Sequence, residues 1–154
     1  MHERFLREAI RLAEESVANG GGPFGAVVVR GKKILGRGNN RVTLNNDPTA
    51  HAEVQAIRQA CATVKDFSLQ GCALYVNCEP CPMCLAAAYW ARLDAVYYAA
   101  NASDAASAGF DDVFIWREME MPPSERSIPM HQALHEEALS AFEQWRQLEN
   151  KIEY

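Results

Sequence analysis

The sequence predicts an α/β domain, a three-layer α-β-α sandwich around a mixed sheet of about five strands. Two observations carry that prediction. Segments of strand character alternate with segments of helical period, the pattern of helices packed on both faces of a sheet. An early hairpin adds an antiparallel pair, so the sheet is mixed rather than wholly parallel.

The elements follow in order. Residues 3–18 place Phe5, Leu6, Ala9, Ile10, Leu12, Ala13 and Val17 on a helical stripe that stops at Gly20-Gly21-Gly22. Residues 24–30, FGAVVVR, read as a strand. Arg30-Gly31-Lys32 turns the chain, and 33–38 is the partner strand. Asn45-Asn46-Asp47-Pro48-Thr49 is a turn, with Asp47 or Thr49 capping a helix over about 50–62. CALYVN, 72–77, is a buried strand after Gly71. Pro80 to Arg92 is a second helix, opening on a proline whose missing N–H costs nothing there. DAVYYAA, 94–100, is another strand. Residues 101–135 hold a short helical turn near 102–108 and a fifth strand near 130–134. Residues 136–150 form an amphipathic helix with Leu139, Phe142, Trp145 and Leu148.

The chain has 154 residues, 49% of them hydrophobic, which suits one compact domain with a real core. No linker, repeat or low-complexity tract interrupts it. Charges inside the N-terminal apolar pattern exclude a signal peptide, and no window approaches ~18 uninterrupted apolar residues. The formal net charge is −5 with scattered Lys and Arg. The densest basic group, Arg30-Gly31-Lys32-Lys33, reads as a solvated hairpin turn. That balance points to a small substrate rather than a nucleic-acid backbone. Five cysteines, an odd number without a secretion signal, argue for a reducing cytoplasm and thiols free for metal.

Two segments carry chemistry: His51-Ala52-Glu53 and Pro80-Cys81-Pro82-Met83-Cys84, each opening a predicted helix. Zinc takes tetrahedral N and S donors, and a catalytic site keeps its fourth position for water. Cys81 and Cys84, three apart, share one face of a helix start. Two thiolates and a neutral imidazole bring the site near neutrality, and helix N-termini favour thiolate. Glu53 then serves as the group that moves protons. His51 and Glu53 are only two residues apart, so they converge only if the metal lies beyond the helix end.

Other readings are open. Cys78, Cys81 and Cys84 lack the fourth cysteine of an iron–sulfur site. Cys78 and Cys81 could form a redox pair, or Cys78 could complete a purely structural zinc site. Cys78 otherwise reads as a small packing residue, Cys61 and Cys72 as core, and Glu79 as a cap on the second helix or a group that orients a ligand. His131 and His135 read as surface or sheet-edge residues, and His2 as part of a mobile terminus.

The segments GGPFGAVVV (21–29), NNDPTAHAEVQAIR (45–58) and CEPCPMCLAAAYWAR (78–92) resemble the cytidine deaminase superfamily, whose zinc enzymes combine H-x-E with P-C-x-x-C. AGFDDVFIW (108–116) and the closing ENKIEY (149–154) are similar to its bacterial guanine deaminase branch. The resemblance implies one zinc ion per subunit on His51, Cys81 and Cys84, with Glu53 as proton shuttle. It implies that Asn40 and Asp112 contact the purine, Asp112 also assisting proton transfer. Phe24 and Trp90 would stack on or flank the ring, and Tyr154 would close the pocket from a partner subunit. It further implies a homodimer that exchanges residues from about 121 to 154, hinged at Met121-Pro122-Pro123-Ser124. Guanine is the implied substrate, with xanthine and ammonia as products. Adenosine in tRNA, cytosine or an aminotriazine remain open, as does a non-catalytic structural-zinc module. No membrane partner is expected.

Overall fold

The computed structural model describes residues 1–154. The chain forms two compact units, Met1–Val113 and Phe114–Tyr154.

The first unit contains α1 (His2–Ala18), β1 (Gly25–Arg30), β2 (Lys33–Asn39), α2 (Val42–Asn45), α3 (Ala52–Val64), β3 (Ala73–Cys78), α4 (Pro82–Trp90), β4 (Ala95–Ala100) and α5 (Ala102–Ser107). The strands run β2-β1-β3-β4 across one sheet. β1 is antiparallel to both β2 and β3, while β3 and β4 are parallel. The sheet is therefore mixed, with four strands rather than about five.

Alternation along β1 and β3 divides the core in two. Ala26, Val28, Leu74 and Val76 meet Ala52, Ala56 and Ala60 of α3 on one face. Val27, Val29 and Tyr75 meet Phe5 and Leu12 of α1 on the other. Each large aliphatic buried here contributes about 1.5–3 kcal/mol. The α3 face is small-on-small. A Cβ at Gly38 would meet the Ala52 carbonyl, and one at Gly36 the Ala56 carbonyl. The helix thus rests directly on the β2 backbone. A bulge between Val28 and Val29 shifts the register, pairing Val28 with Gly36 and Val29 with Ile34. Leu35 can then turn inward beside Gly36.

Three local expectations are corrected. The N-cap of α3 is His51, not Asp47 or Thr49. The Asp47 carboxylate instead accepts from Thr49 N–H and Oγ, closing a local turn. The second site helix begins at Pro82 with Cys81 as N-cap, so Pro82 rather than Pro80 takes the position that needs no N–H. His2 belongs to α1, stacks on Tyr97 at 4.4 Å between ring centres, and pairs its Nδ1 with the Tyr75 hydroxyl at 2.8 Å.

In the second unit, α6 (Val113–Glu120) begins at the boundary, a 3-10 turn spans Pro123–Glu125, and α7 covers His135–Gln147. Arg126 Nε donates to the carbonyls of Glu118 and Met121, and Ser127 donates to the Glu118 carboxylate. These bonds pin the Pro-Pro segment to the end of α6. Residues 130–134 form no strand. Pro129 offers no N–H, and Leu134 takes a left-handed backbone, φ 55°, directly before α7. No residue from 114 to 154 is buried, and Leu139, Phe142 and Trp145 of α7 and Leu148 just past its end are all exposed.

Candidate active site

Two helix starts build the site. His51 is the N-cap of α3 with extended backbone, φ −69° and ψ 154°. Being outside the helix, it escapes the divergence of residues two apart, and both His51 and Glu53 line the same cavity. Cys81 is the N-cap of α4, φ −67° and ψ 168°, and Cys84 is three residues on. N-cap and N3 positions face one another across a first turn, the geometry used by capping boxes. Here it brings two sulfurs together.

His51 Nδ1 lies 3.5 Å from Cys81 Sγ and 3.5 Å from Cys84 Sγ. The donor atoms of all three residues fall within 4.8 Å of one another. Tetrahedral zinc with Zn–S of about 2.3 Å and Zn–N of about 2.05 Å requires an S···N edge of about 3.5–3.6 Å. The observed edges meet that demand, so the donor set fits zinc. Cys84 and its hydrogen bond, followed by His51, hold the Cys81 thiol down to about 4, in the thiolate form that binds metal. The same pairing with Cys81, reinforced by burial, pushes Cys84 up. The Cys81 sulfur in turn raises His51.

Cys78 is not a fourth donor. It is buried, its Sγ donates to the Asn101 carbonyl at 3.6 Å, and burial pushes it up to about 11. The donor group is His51, Cys81 and Cys84 alone. Three protein donors suit an open, catalytic geometry rather than a closed structural one.

The cavity lined by His51 and Cys81 measures about 420 Å³. Glu53, 5% exposed, lines it, and burial drives its carboxyl upward. Asp112 also lines it and is raised chiefly by burial, then by the Cys81 sulfur. Its neighbour Asp111 accepts the Val113 N–H at 3.1 Å, so capping falls to Asp111. Asn40, one residue past β2, is buried. Its N–H donates to the Phe24 carbonyl at 3.0 Å and its Oδ1 accepts from Val42 N–H at 3.1 Å. That leaves its Nδ2 donors for another partner. Phe24 lines the cavity and meets Phe110 edge-on, with ring centres 5.0 Å apart.

The structure thus gathers Phe24, Asn40, His51, Glu53, Cys81 and Asp112 around one cavity, with Cys84 in the donor group behind. Trp90 is placed elsewhere: it is 66% exposed at the end of α4, in a separate hollow with Ala86, Tyr89 and Arg92. Tyr154 is exposed in the second unit. Glu79 lines the cavity and accepts the Ala102 N–H at 2.9 Å at the start of α5, whose N-cap is Asn101, rather than capping α4. Phe110 went unnoticed in the sequence, although an aromatic beside an Asp pair after the last strand was a usable signal. Gly20–Gly22 and Thr43 also line the cavity, with nothing in their spacing to mark them.

The family model of the cytidine and deoxycytidylate deaminase zinc-binding region matches residues 1–100. A guanine deaminase of Bacillus subtilis (strain 168) is 56% identical over 154 residues, covering 99% of each chain. A tRNA-specific adenosine deaminase of Aquifex aeolicus (strain VF5) is 41% identical over 98 residues, covering 64% of this chain and 65% of the relative. The X-ray structure of guanine deaminase from Bacillus subtilis superposes with a TM-score of 0.97 at 55% identity, over 100% of this chain and 99% of that one. Matched over most of its length and carrying the zinc-fitting donor triad, the chain belongs to the cytidine and deoxycytidylate deaminase family.

Proposed function

We propose that this chain hydrolyses guanine to xanthine and ammonia. One observation carries the reading: a single cavity is lined by two members of a three-residue metal-donor group, a buried carboxylate and polar groups suited to a purine edge. The full-length likeness to a guanine deaminase supports guanine among the candidate amines.

His51, Cys81 and Cys84 would hold one zinc ion per subunit. When bound, zinc supplies Lewis acidity that makes water a nucleophile near neutral pH. Glu53 accepts a proton from water as oxygen bonds to C2 of the ring, and passes it to the adjacent ring nitrogen. It then moves the second proton from that oxygen to the amine, and the C2–N bond breaks to release ammonia. Burial, which raises Glu53, suits a carboxyl that must hold a proton between those steps. The Asn40 Nδ2 donors would bind a purine acceptor, Asp112 would accept from a purine N–H and assist proton transfer, and Phe24 would flank the ring.

The reading includes a homodimer exchanging residues from about 121 to 154, with the partner's Tyr154 closing the cavity. The second unit buries none of its own residues, yet carries a row of large apolar side chains on α7. Such a helix needs another surface to cover it, and exchange of an identical element supplies one. The cytoplasm is the proposed location: all five cysteines are free, and no helix is long and apolar enough to cross a membrane.

The test is to follow xanthine and ammonia from guanine with the zinc-loaded protein, with adenosine-bearing tRNA in parallel. Turnover of tRNA adenosine without guanine turnover would reject the substrate and keep the chemistry. A monomer by light scattering would reject the exchange.

A further inference from the structure

We infer that Asn77, which does not line the cavity, is the positioning residue that sets its purine-facing edge. The inference rests on the guanine reading, and deepens it by naming what holds Phe24 and Asn40 in place. Main-chain pairing of β1 with β3 ends at Ala26 and Val76. Beyond that point Phe24 N–H turns to the Gly22 carbonyl at 2.9 Å, so the chain leaves the ladder. Backbone groups released from a ladder need other partners. The Asn77 side chain supplies them.

Its Oδ1 accepts from Gly25 N–H at 2.9 Å, and its Nδ2 donates to the Pro23 carbonyl at 3.0 Å. The two bonds bracket Phe24. An amide is the one short side-chain group that offers an acceptor and a donor side by side; a carboxylate or an aliphatic group provides at most one of them. The Phe24 carbonyl then accepts from Asn40 N–H at 3.0 Å. One amide on β3 therefore fixes both the aromatic flank and, through it, the buried polar residue of the site. On the other side, Ser16 Oγ donates to the Asn40 carbonyl at 3.2 Å, so Asn40 is held between α1 and the loop that Asn77 anchors.

The hydrogen bonds of Asn77 reach neither Glu53 nor the three metal donors. Loss of the amide should weaken substrate positioning without disabling proton transfer, a change in KM rather than kcat. Asn77→Ala, zinc-loaded, is expected to raise KM for guanine about tenfold with kcat within about twofold and zinc content unchanged. Joined to Phe24→Leu, it should add less than about twofold to the KM of Phe24→Leu alone, because the residues act as one unit. Should Asn77→Ala fail to fold, Asn77→Asp, which keeps the acceptor for Gly25 and loses the donor to Pro23, carries the same KM test. Hydrogen exchange read without substrate should show Gly25 and Asn40 amides losing protection in the variant. That measurement separates the two ideas. If the wild-type chain ignores guanine, the substrate reading fails, and exchange still decides whether Asn77 holds the loop. Unchanged KM, a fall in kcat at constant KM, additive effects with Phe24→Leu, or unchanged protection at Gly25 and Asn40 would each overturn the inference.

Discussion

Replacing Gly38 by alanine should damage catalysis through the seat of α3 rather than through any group in the cavity. The added Cβ would meet the Ala52 carbonyl and lie 2.6 Å from Ala56 N and 2.8 Å from Gln55 Cβ. Ordinary heavy-atom contacts lie near about 3.5 Å, so the start of α3 must retreat by about 1 Å. That start carries His51 and Glu53. A displacement of about 1 Å at reacting groups lowers turnover by about 100-fold. Overpacking alone should destabilise the fold by about 1–3 kcal/mol. Gly36→Ala provides the control. Its Cβ would meet the Ala56 carbonyl and lie 2.6 Å from Ala60 N, the same collision one turn further along α3. Both variants should melt lower by similar amounts, but only Gly38→Ala should lose about 100-fold in kcat. Ammonia release, zinc content and thermal denaturation measure all three quantities. Equal kcat in the two variants would refute the argument that strand glycines place the metal helix.

Glu53→Gln should keep full zinc and lose about 10²–10⁴-fold in kcat, checked by metal analysis and ammonia release. Cys81→Ser should lose zinc while Cys78→Ser retains it, since Cys78 donates to the Asn101 carbonyl and stands outside the donor group; equal zinc loss in both would mean a closed structural site. Removing zinc with a chelator should abolish turnover and lower the melting temperature, with both restored by zinc. Glu8 is held down to about 2 by Arg11 first and then Arg37, the latter tying α1 to β2. Its folded value lies below the unfolded one, so its contribution is full above about pH 4.5 and is lost as pH falls toward 2. Water and salt at this surface reduce that contribution to about 1 kcal/mol. Glu8→Gln should remove the corresponding part of the acid dependence in denaturant titrations.

Much of the fold was legible because its elements announce themselves locally. The stripe of α1, the valine run of β1 with its Arg30-Gly31-Lys32 turn, and the apolar strands before and after α4 each show their period within a few residues. The expected strand at 130–134 had no such support: Met130-His131-Gln132-Ala133-Leu134 shows no alternation and follows Pro129. The helix starts were misplaced by one or two residues for a related reason. Asp47 and Thr49 have the right chemistry for a cap, but they bond to each other and leave the cap to His51. Members of the donor group, His51 and Cys81, occupy the cap positions, and neither residue type has a preference that a capping rule would register.

The amino-acid order by itself determined which residue types could do the chemistry: one imidazole, two nearby thiols and a carboxylate at fixed separations along the chain. It also determined the alternation that sends half of β1 toward α1 and half toward α3. Only tertiary structure decided that Cys78 faces the Asn101 carbonyl, that Phe110 meets Phe24 edge-on, that Trp90 stands away from the cavity, and that Asn77 holds a loop fifty residues earlier in the chain. The difference is physical. Periodicity and capping are contests among neighbours within a turn or two, so they leave a local trace. Where a strand pair ends, which backbone groups it abandons and which distant side chain satisfies them depend on register and helix seating, which exist only once the sheet has formed.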